Sequence, residues 1–174
     1  NPLCTRDGRK AMVQHYEPKT GNRELWVVDL ARGAKTRFTS RPSENANALG
    51  SPDGSRIVFS SDRLHPADLY EKALDGSASE RPLLEAEGQK LAADWSPDGR
   101  YIVYWDREPG GLRRVGASAL PLFGDRKPLT LLPRAVQEDF RLRISPDARW
   151  LAFSTDEAGR AEVFVTTFPT PVEK

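Results

Sequence analysis

A short turn sequence occurs four times in this chain at nearly constant spacing. Residues 51–54 and 96–99 both read Ser-Pro-Asp-Gly, residues 145–148 read Ser-Pro-Asp-Ala, and residues 5–8 read Thr-Arg-Asp-Gly. The aspartates of these copies stand at positions 7, 53, 98 and 147, so the period is about 45–49 residues. Ankyrin and tetratricopeptide repeats are only about 33–34 residues long. The spacing therefore predicts a series of similar units, each larger than one of those helical repeats.

The residue types of the turn predict the tip of a β-hairpin. Proline presets φ for the second position of a type I turn, aspartate suits the third position, and glycine adopts the left-handed conformation that closes a three-residue loop. In the last copy Ala148 replaces glycine, and a Cβ in that conformation costs on the order of 1 kcal/mol. We therefore expect positive φ at Gly54 and Gly99, and a distorted or weaker tip at Ala148.

The segments between the tips predict further strands. Runs directly after the tips, such as residues 101–105, are apolar on consecutive positions, which indicates a strand buried on both faces of its sheet. Third strands are predicted at residues 24–30, 68–74 and 161–168, and more polar fourth strands at residues 35–39, 80–84 and 127–132. Pro82 and Pro128 cannot donate to a strand ladder, which places the fourth strands at an outer edge. The strand before each tip, for example residues 91–95, is then the innermost one.

Sheets of four strands that are covered on both faces are typical of β-propeller blades. We therefore predict an all-β propeller with repeat units at residues 1–41, 42–87, 88–137 and 138–174. The first unit starts at or within its inner strand and the last stops after its third strand, so we expect slightly fewer than four blades. No segment carries a sustained helical period, and residues 43–49 are the one stretch where the pattern allows a short turn.

Composition excludes several classes of protein. The 13 glycines and the 38% of hydrophobic residues together give an apolar share of about 45%, which is usual for a globular chain and excludes disorder. The net charge is +1, without the basic surplus that nucleic-acid binding uses. The longest strongly apolar runs have about five residues, against the ~20 of a membrane-spanning helix, so we expect no membrane contact. The first residues turn polar at once and do not resemble a signal peptide.

Motifs for catalysis and cofactor binding are missing from the sequence. Ser51 follows Gly50 directly, without the intervening residue of a nucleophile elbow, so we interpret Ser51 as a turn residue. Cys4 is the only cysteine; it cannot form an intramolecular disulfide, and no histidine or asparagine spacing supports its activation. His15 and His65 fit no zinc pattern, and we interpret both as solvated, with a ligand contact as the alternative. Phosphate-binding and kinase catalytic loops are also missing. We assign no catalytic residue, no metal site and no cofactor.

The aspartates of the repeat have two interpretations. Those at the hairpin tips fit turn chemistry, with Ca²⁺ binding along one rim as the alternative. A second set ends the second strands, where a carboxylate accepts backbone N–H groups of a loop, again with ligand binding as the alternative. The first set is Asp53, Asp98 and Asp147, and the second set is Asp62, Asp106 and Asp156.

The four tryptophans fall on predicted strands: Trp26, Trp95, Trp105 and Trp150. We expect them to belong to the core between blades, and a stacking platform for a ligand is the alternative.

Residues 94–104 resemble the repeat of TolB-type, WD40-like propellers, and the resemblance extends over nearly the whole chain. Residues 24–33, 68–70 and 124–128 are also similar to the C-terminal propeller that follows the kinase domain in some bacterial membrane-anchored serine/threonine kinases. The pattern is broken at Gly50 and Ile144, which take the place of Trp95, and at Ala148.

TolB-type propellers close with six or more blades, so the resemblance implies that this chain is part of a larger ring. Its open ends would expose blade faces, and we expect self-association through them. The strand carrying Val163, Phe164 and Val165 would contribute to this contact, by pairing two half-rings or by adding an edge strand across molecules.

The resemblance leads to three hypotheses for function. The leading one is a non-enzymatic module that binds a protein, a peptide or a small ligand, as the sensor or scaffold of a bacterial signalling protein associated with a serine/threonine kinase. The second is the propeller of a prolyl-oligopeptidase-like peptidase, and the third is a TolB-like periplasmic envelope protein. We expect an extracytoplasmic or periplasmic location, with a cytoplasmic one left open, and no nucleic-acid partner.

Overall fold

A computed structural model describes residues 3–5, 7–64, 66–108, 114–136, 141–155, 160 and 162–171. All regular secondary structure in these ranges is β-strand, and each strand pairs with its neighbour in an antiparallel manner. This confirms the all-β prediction. The chain divides into two compact units, Asn1–Ala92 and Ala93–Lys174.

The first unit contains two sheets of four strands, each in sequential order. The strands of the first sheet are β1 (Leu3–Cys4), β2 (Lys10–Glu17), β3 (Asn22–Asp29) and β4 (Lys35–Arg37). The strands of the second sheet are β5 (Asn45–Gly50), β6 (Arg56–Ser61), β7 (Asp68–Ala73) and β8 (Arg81–Leu84). Facing side chains of both sheets form one buried cluster: Met12, Leu25, Phe38, Ile57, Phe59 and Tyr70.

The second unit contains one sheet of four strands and one of three. The first is formed by β9 (Gln89–Trp95), which crosses the boundary between the units, β10 (Tyr101–Arg107), β11 (Arg114–Pro121) and β12 (Leu129–Val136). The second is formed by β13 (Leu142–Ile144), β14 (Trp150–Thr155) and β15 (Glu162–Thr167). Their shared core comprises Tyr101, Val103, Ala117, Ala119 and Leu131 from the first sheet, and Leu142, Ile144, Leu151 and Phe168 from the second sheet and its following loop.

The strand register repeats along with the sequence. The fifth residue after each tip lies on a second strand and pairs with one residue of the third strand. These pairs are Val13 with Trp26, Phe59 with Tyr70, Tyr104 with Ser118, and Phe153 with Phe164. Equivalent positions of the four sheets can therefore be compared residue by residue.

One prediction about local structure was wrong, and one strand was missed. Residues 43–49 do not form a turn, because Asn45–Gly50 is strand β5, which contains a bulge at Asn47 with φ of 53°. Strand β11 was not predicted, since its Gly-Ala-Ser-Ala centre has none of the β-branched or aromatic residues that signal a strand. Pairing with both β10 and β12 makes it a strand despite its weak propensity.

The fourth tip is not distorted. Ala148 has φ of 55°, in the same left-handed region as Gly54 at 73° and Gly99 at 75°. The N–H of Ala148 also donates to the carbonyl of Ser145 at 2.9 Å, as the equivalent glycines do in their own tips. The hydrogen bonds of the tip therefore hold alanine in the conformation that the turn requires, and a cost in stability stays a prediction.

The break in the repeat at Gly50 has a packing reason. A Cβ on Gly50 would lie 3.2 Å from the Cδ2 atom of Leu3, which is tighter than ordinary contact. Ile144, the other replacement for the repeat tryptophan, is buried in the core of the second unit. Both departures are accommodated without loss of the strand.

Candidate binding surface

All four hairpin tips are closed by the same side-chain hydrogen bonds. In the third tip, the Ser96 hydroxyl donates to Asp98 Oδ1 at 2.6 Å and accepts the N–H of Tyr101 at 2.8 Å. The equivalent hydroxyls of the other tips make the same two contacts: Thr5, Ser51 and Ser145. Each hydroxyl is engaged as donor and as acceptor, so these residues build the turn, as the sequence predicts for Ser51.

In the first, second and fourth tips these bonds hold the carboxylate in its ionised form. The Ser51 hydroxyl, followed by the N–H and hydroxyl of Ser55, lowers the pKa of Asp53 to about 2. The Thr5 and Ser145 hydroxyls likewise hold the pKa of Asp7 and of Asp147 below the ordinary value. Turn chemistry thus accounts for the repeated aspartates. Within the described part of the chain, no group of three or more histidine, cysteine or acidic side chains is placed to hold a metal ion.

A cleft of about 520 Å³ lies in the first unit where two tips approach a third turn. It is formed by the first tip, the second tip and the turn that connects β7 to β8. The lining residues are Thr5, Asp7, Lys10, Asp53, Gly54, Ser55, Leu74 and Asp75. Because three carboxylates and one ammonium group line the cleft, it carries a net negative charge. We name it the acidic cleft.

The carboxylates of the acidic cleft are ionised well below neutral pH. Hydrogen bonds from the hydroxyl and N–H of Ser77 lower the pKa of Asp75, and the nearby Lys10 ammonium adds to this effect. Asp7, Asp53 and Asp75 each use Oδ1 for their turn. An anionic cleft of this kind suits a basic side chain of a partner, because opposite charges attract across an interface.

The other residues singled out by the sequence are not among those that line the cleft. His15 is exposed on β2 and packs edge-on against Trp26, with ring centroids 5.7 Å apart. Cys4 is exposed and outside any disulfide. Asp62 accepts the N–H of Glu44 at 2.8 Å, which agrees with its predicted role as a cap. Asp106 lies within β10 rather than at its end. His65 and Asp156 are outside the described residues.

The tryptophans are divided between core and surface. Trp95 is buried, and Trp105 is half-buried against the core of the second unit. Trp26 is half-buried, and its indole N–H donates to Glu24 at 3.4 Å. Trp150 is 43% exposed, so the expectation that it belongs to the core was wrong for this residue.

The first unit contains a buried ionic network that the sequence analysis missed. Arg63 donates to Glu80 at 2.5 Å, to Asn45 at 3.3 Å and to Ser61 at 3.0 Å. Its guanidinium carbon lies 4.2 Å from the ring centroid of Tyr70. The Arg63 and Glu80 side chains are only 7% and 3% exposed. The sequence gives no local signal for this network, since its members are separated along the chain and meet only in the folded sheets.

The sequence analysis also missed a carboxylate that links two strands. Asp94 on β9 accepts the N–H of Ile144 on β13 at 2.9 Å, and so joins the inner strands of the two sheets of the second unit. Burial raises the pKa of Asp94 above its ordinary value. Asp94 immediately precedes Trp95, the tryptophan of the repeat motif. This position in the repeat is the one sequence feature that could have pointed to its role.

The fold defines the class of protein to which this chain belongs. Repeated antiparallel sheets, each with an inner strand, a hairpin tip and an outer edge strand, are those of a β-propeller. A family model described as the TolB beta propeller domain (PD40) matches residues 2–130, and the chain belongs to this family.

Similar proteins agree with this assignment. The chain is 31% identical over 102 residues to the Tol-Pal system protein TolB of Wolinella succinogenes, which covers 59% of this chain and 23% of that protein. It is 26% identical over 114 residues to Tricorn protease homolog 1 of Streptomyces coelicolor, covering 66% of this chain and 10% of that protein. The chain therefore spans less than a quarter of the length of either relative.

Solved structures show the same fold. The crystal structure of TolB from Acinetobacter baumannii matches 95% of this chain and 40% of its own, with a TM-score of 0.80 and 22% identity. A structure from a study of two prolyl endopeptidases matches 99% of this chain and 27% of its own, with a TM-score of 0.74 and 15% identity. At these identities the likeness concerns the propeller fold. In the described residues, no helix is long and apolar enough to cross a membrane.

Proposed function

We propose that this chain is a non-enzymatic propeller module that binds a protein partner. The observation that carries the proposal is the acidic cleft, whose three carboxylates are presented by turns with fixed geometry. Membership of the TolB propeller family supports a role in binding rather than in chemistry. The partner would insert a lysine or arginine side chain between Asp53 and Asp75.

The engaged tip hydroxyls support the non-enzymatic part of the proposal. Each is hydrogen-bonded to an aspartate that also accepts a backbone N–H, so the carboxylate closes the turn. A nucleophile needs a base that can accept its proton. Asp53, with a pKa of about 2, is too weak a base for this at neutral pH.

Fluorescence anisotropy of a fluorescein-labelled, lysine-rich peptide tests the proposal. The full chain should bind the peptide, and added salt should weaken the binding because the attraction is electrostatic. Each exposed ion pair contributes roughly 0.2–1 kcal/mol, so the double variant Asp53→Asn, Asp75→Asn should raise the Kd by about two- to thirtyfold.

Asp147→Asn is the matched control. Asp147 occupies the same tip position and makes the same turn bonds, but it does not line the cleft. Its replacement should leave the Kd unchanged. Equal weakening by the control and the double variant, or no binding by the unaltered chain, would refute the proposal.

The finer parts of the proposal rest on resemblance. We infer a sensor or scaffold role in a bacterial signalling protein from the similarity of residues 24–33, 68–70 and 124–128 to kinase-associated propellers. An extracytoplasmic or periplasmic location follows from the similarity to TolB. Expression of the parent gene with a reporter fused downstream of this segment would test the location.

The likeness to a prolyl endopeptidase structure over 99% of the chain favours a second candidate, the propeller of a peptidase. Such a propeller would accompany a hydrolase domain in the same protein. Sequencing of the parent gene separates the two candidates, since a kinase domain and a hydrolase domain have distinct motifs.

A further inference from the structure

One positive charge lines the acidic cleft without a direct ion pair. Lys10 is the first residue of β2, and its half-buried side chain is among those that form the cleft. The ion pairs between described residues do not include it. Hydrogen bonds lower the pKa of Asp75 and of Asp29, and the charge of Lys10 adds to this effect from a longer distance. The ammonium group is therefore available to a partner that enters the cleft.

Comparison with the second sheet explains why Lys10 lacks an ion pair. Arg56 has the equivalent position, two residues after the glycine of its tip, and its guanidinium lies 3.3 Å from the carboxylate of Glu71 on β7. In the first sheet Val27 of β3 takes the place of Glu71. An isopropyl group cannot pair with an ammonium group, so the position that provides a carboxylate for Arg56 provides none for Lys10.

The equivalent place in the second unit is filled by two aromatic rings. Tyr101 has the position of Lys10, two residues after the last residue of its tip. Phe168 has the position of Leu74, since both follow a third strand and donate their N–H to the carbonyl of the residue directly after a tip. The rings of Tyr101 and Phe168 meet edge to face with centroids 5.4 Å apart, and both residues are buried. Lys10 and Leu74 thus leave open in the first unit what these rings fill in the second.

The cleft consequently presents both signs of charge beside an apolar surface. Its three carboxylates attract a basic side chain, whereas the Lys10 ammonium repels it, because like charges across an interface are unfavourable. A partner carboxylate next to the basic group would pair with Lys10 and remove this repulsion. It would also replace the water that a half-buried ammonium loses when the cleft is covered. Leu74 offers apolar surface to the methylene stem of the basic side chain.

We propose that Lys10 makes the acidic cleft specific for a partner segment in which an acidic side chain stands next to the basic one. This inference rests on the proposed function, since it requires that the cleft binds a basic side chain. The basic group lies between Asp53 and Asp75, and the ammonium of Lys10 donates to the neighbouring carboxylate of the partner. A segment with basic side chains alone binds less tightly, because it leaves Lys10 covered and unpaired.

Fluorescence anisotropy with two fluorescein-labelled peptides tests the inference on the full chain. Both peptides have the same composition and net charge, with several lysines, a single glutamate and a neutral stretch of glycine and serine. In the first peptide the glutamate is next to the central lysine, and in the second it is separated from the lysines by about ten of the glycine and serine residues. The Kd of the first peptide should be lower by about two- to fivefold, the range of one exposed ion pair.

Substitution of Lys10 should remove this preference. In Lys10→Gln the two peptides should bind with equal Kd, whereas Lys10→Arg keeps the charge and should keep the preference. Lys35→Gln is the matched control, because Lys35 is an exposed lysine on β4 of the same sheet and does not line the cleft. It should retain the preference of the unaltered chain. Circular dichroism verifies that each variant is folded, and Lys10→Met replaces Lys10→Gln if the latter is unfolded.

The outcomes separate this inference from the proposed function. Binding of neither peptide by the unaltered chain would overturn both. Equal binding of the two peptides, or tighter binding of the second, would overturn only the role of Lys10 and leave a cleft that recognises basic side chains alone. A preference that persists in Lys10→Gln, or disappears equally in Lys35→Gln, would also refute that role, since the discrimination would then come from another part of the surface.

Discussion

Replacement of Ala148 by glycine should stabilise the protein. Ala148 has φ of 55°, and a Cβ in the left-handed region costs roughly 1–2 kcal/mol. Glycine removes this cost but loses about 0.5–1 kcal/mol more conformational entropy on folding. Ala148 also packs, partly buried, against the core of the second unit, and loss of a fraction of its methyl contact removes about 0.3 kcal/mol of the ~0.8 kcal/mol for a fully buried methylene. The net gain is about 0.5 kcal/mol.

Urea denaturation followed by tryptophan fluorescence measures this gain. Trp95, Trp105 and Trp150 lie in the second unit, so the signal reports mainly on the part of the chain that contains the fourth tip. With a slope of about 1–3 kcal/mol per molar urea, the midpoint should rise by roughly 0.2–0.5 M.

Gly99→Ala is the reverse change at the equivalent position of the third tip. A Cβ on Gly99 would have no atom within 4 Å, so only the backbone cost applies, and the stability should fall by about 0.5–1 kcal/mol. A clear loss of stability in Ala148→Gly, or an unchanged midpoint in Gly99→Ala, would show that the tips do not impose the left-handed conformation as argued.

Two further predictions concern charged groups. Glu80→Ala should lower the free energy of unfolding by about 3–5 kcal/mol in a denaturation experiment, because it leaves the buried Arg63 guanidinium without its carboxylate; a loss below about 1 kcal/mol would contradict the pairing. The pKa of Asp53 is about 2 in the folded chain and 3.8 ordinarily, so its stabilising contribution is complete above about pH 4 and is lost as the pH falls towards 2. The stability difference between the unaltered chain and Asp53→Asn should therefore shrink over this range in thermal unfolding, and a constant difference would refute the assignment.

The parts of the fold that the sequence predicts are those with local causes. The tips follow from turn residues whose side chains bond to their own backbone, as Ser96 and Asp98 do. The second strands follow from apolar runs such as β10. Strand β11 was not predicted because the residues at its centre are small and have weak β-propensity. It forms a strand because it pairs with β10 on one side and β12 on the other.

The candidate site was less accessible from sequence. Asp53 was identified, but its approach to Asp75 depends on how two turns of the folded unit meet, which no spacing encodes. The same applies to Arg63 and Glu80, which lie on either side of strand β7 in the chain and come together only in the folded unit. For Trp150, the sequence predicted the secondary structure but not the burial. Its strand position was predicted correctly, whereas its exposure depends on what covers the neighbouring sheet.

The closure of every tip by its own side chains makes each blade tip a self-contained part. The hydroxyl, the carboxylate and the backbone groups that they satisfy all lie within six consecutive residues, for instance between Ser96 and Tyr101. The geometry of a tip therefore does not depend on which blade stands beside it. A six-residue tip could be exchanged between repeats, and duplication of a blade would carry a working tip with it. In such a protein the residues of one tip can change without a change in the other tips or in the sheets that carry them.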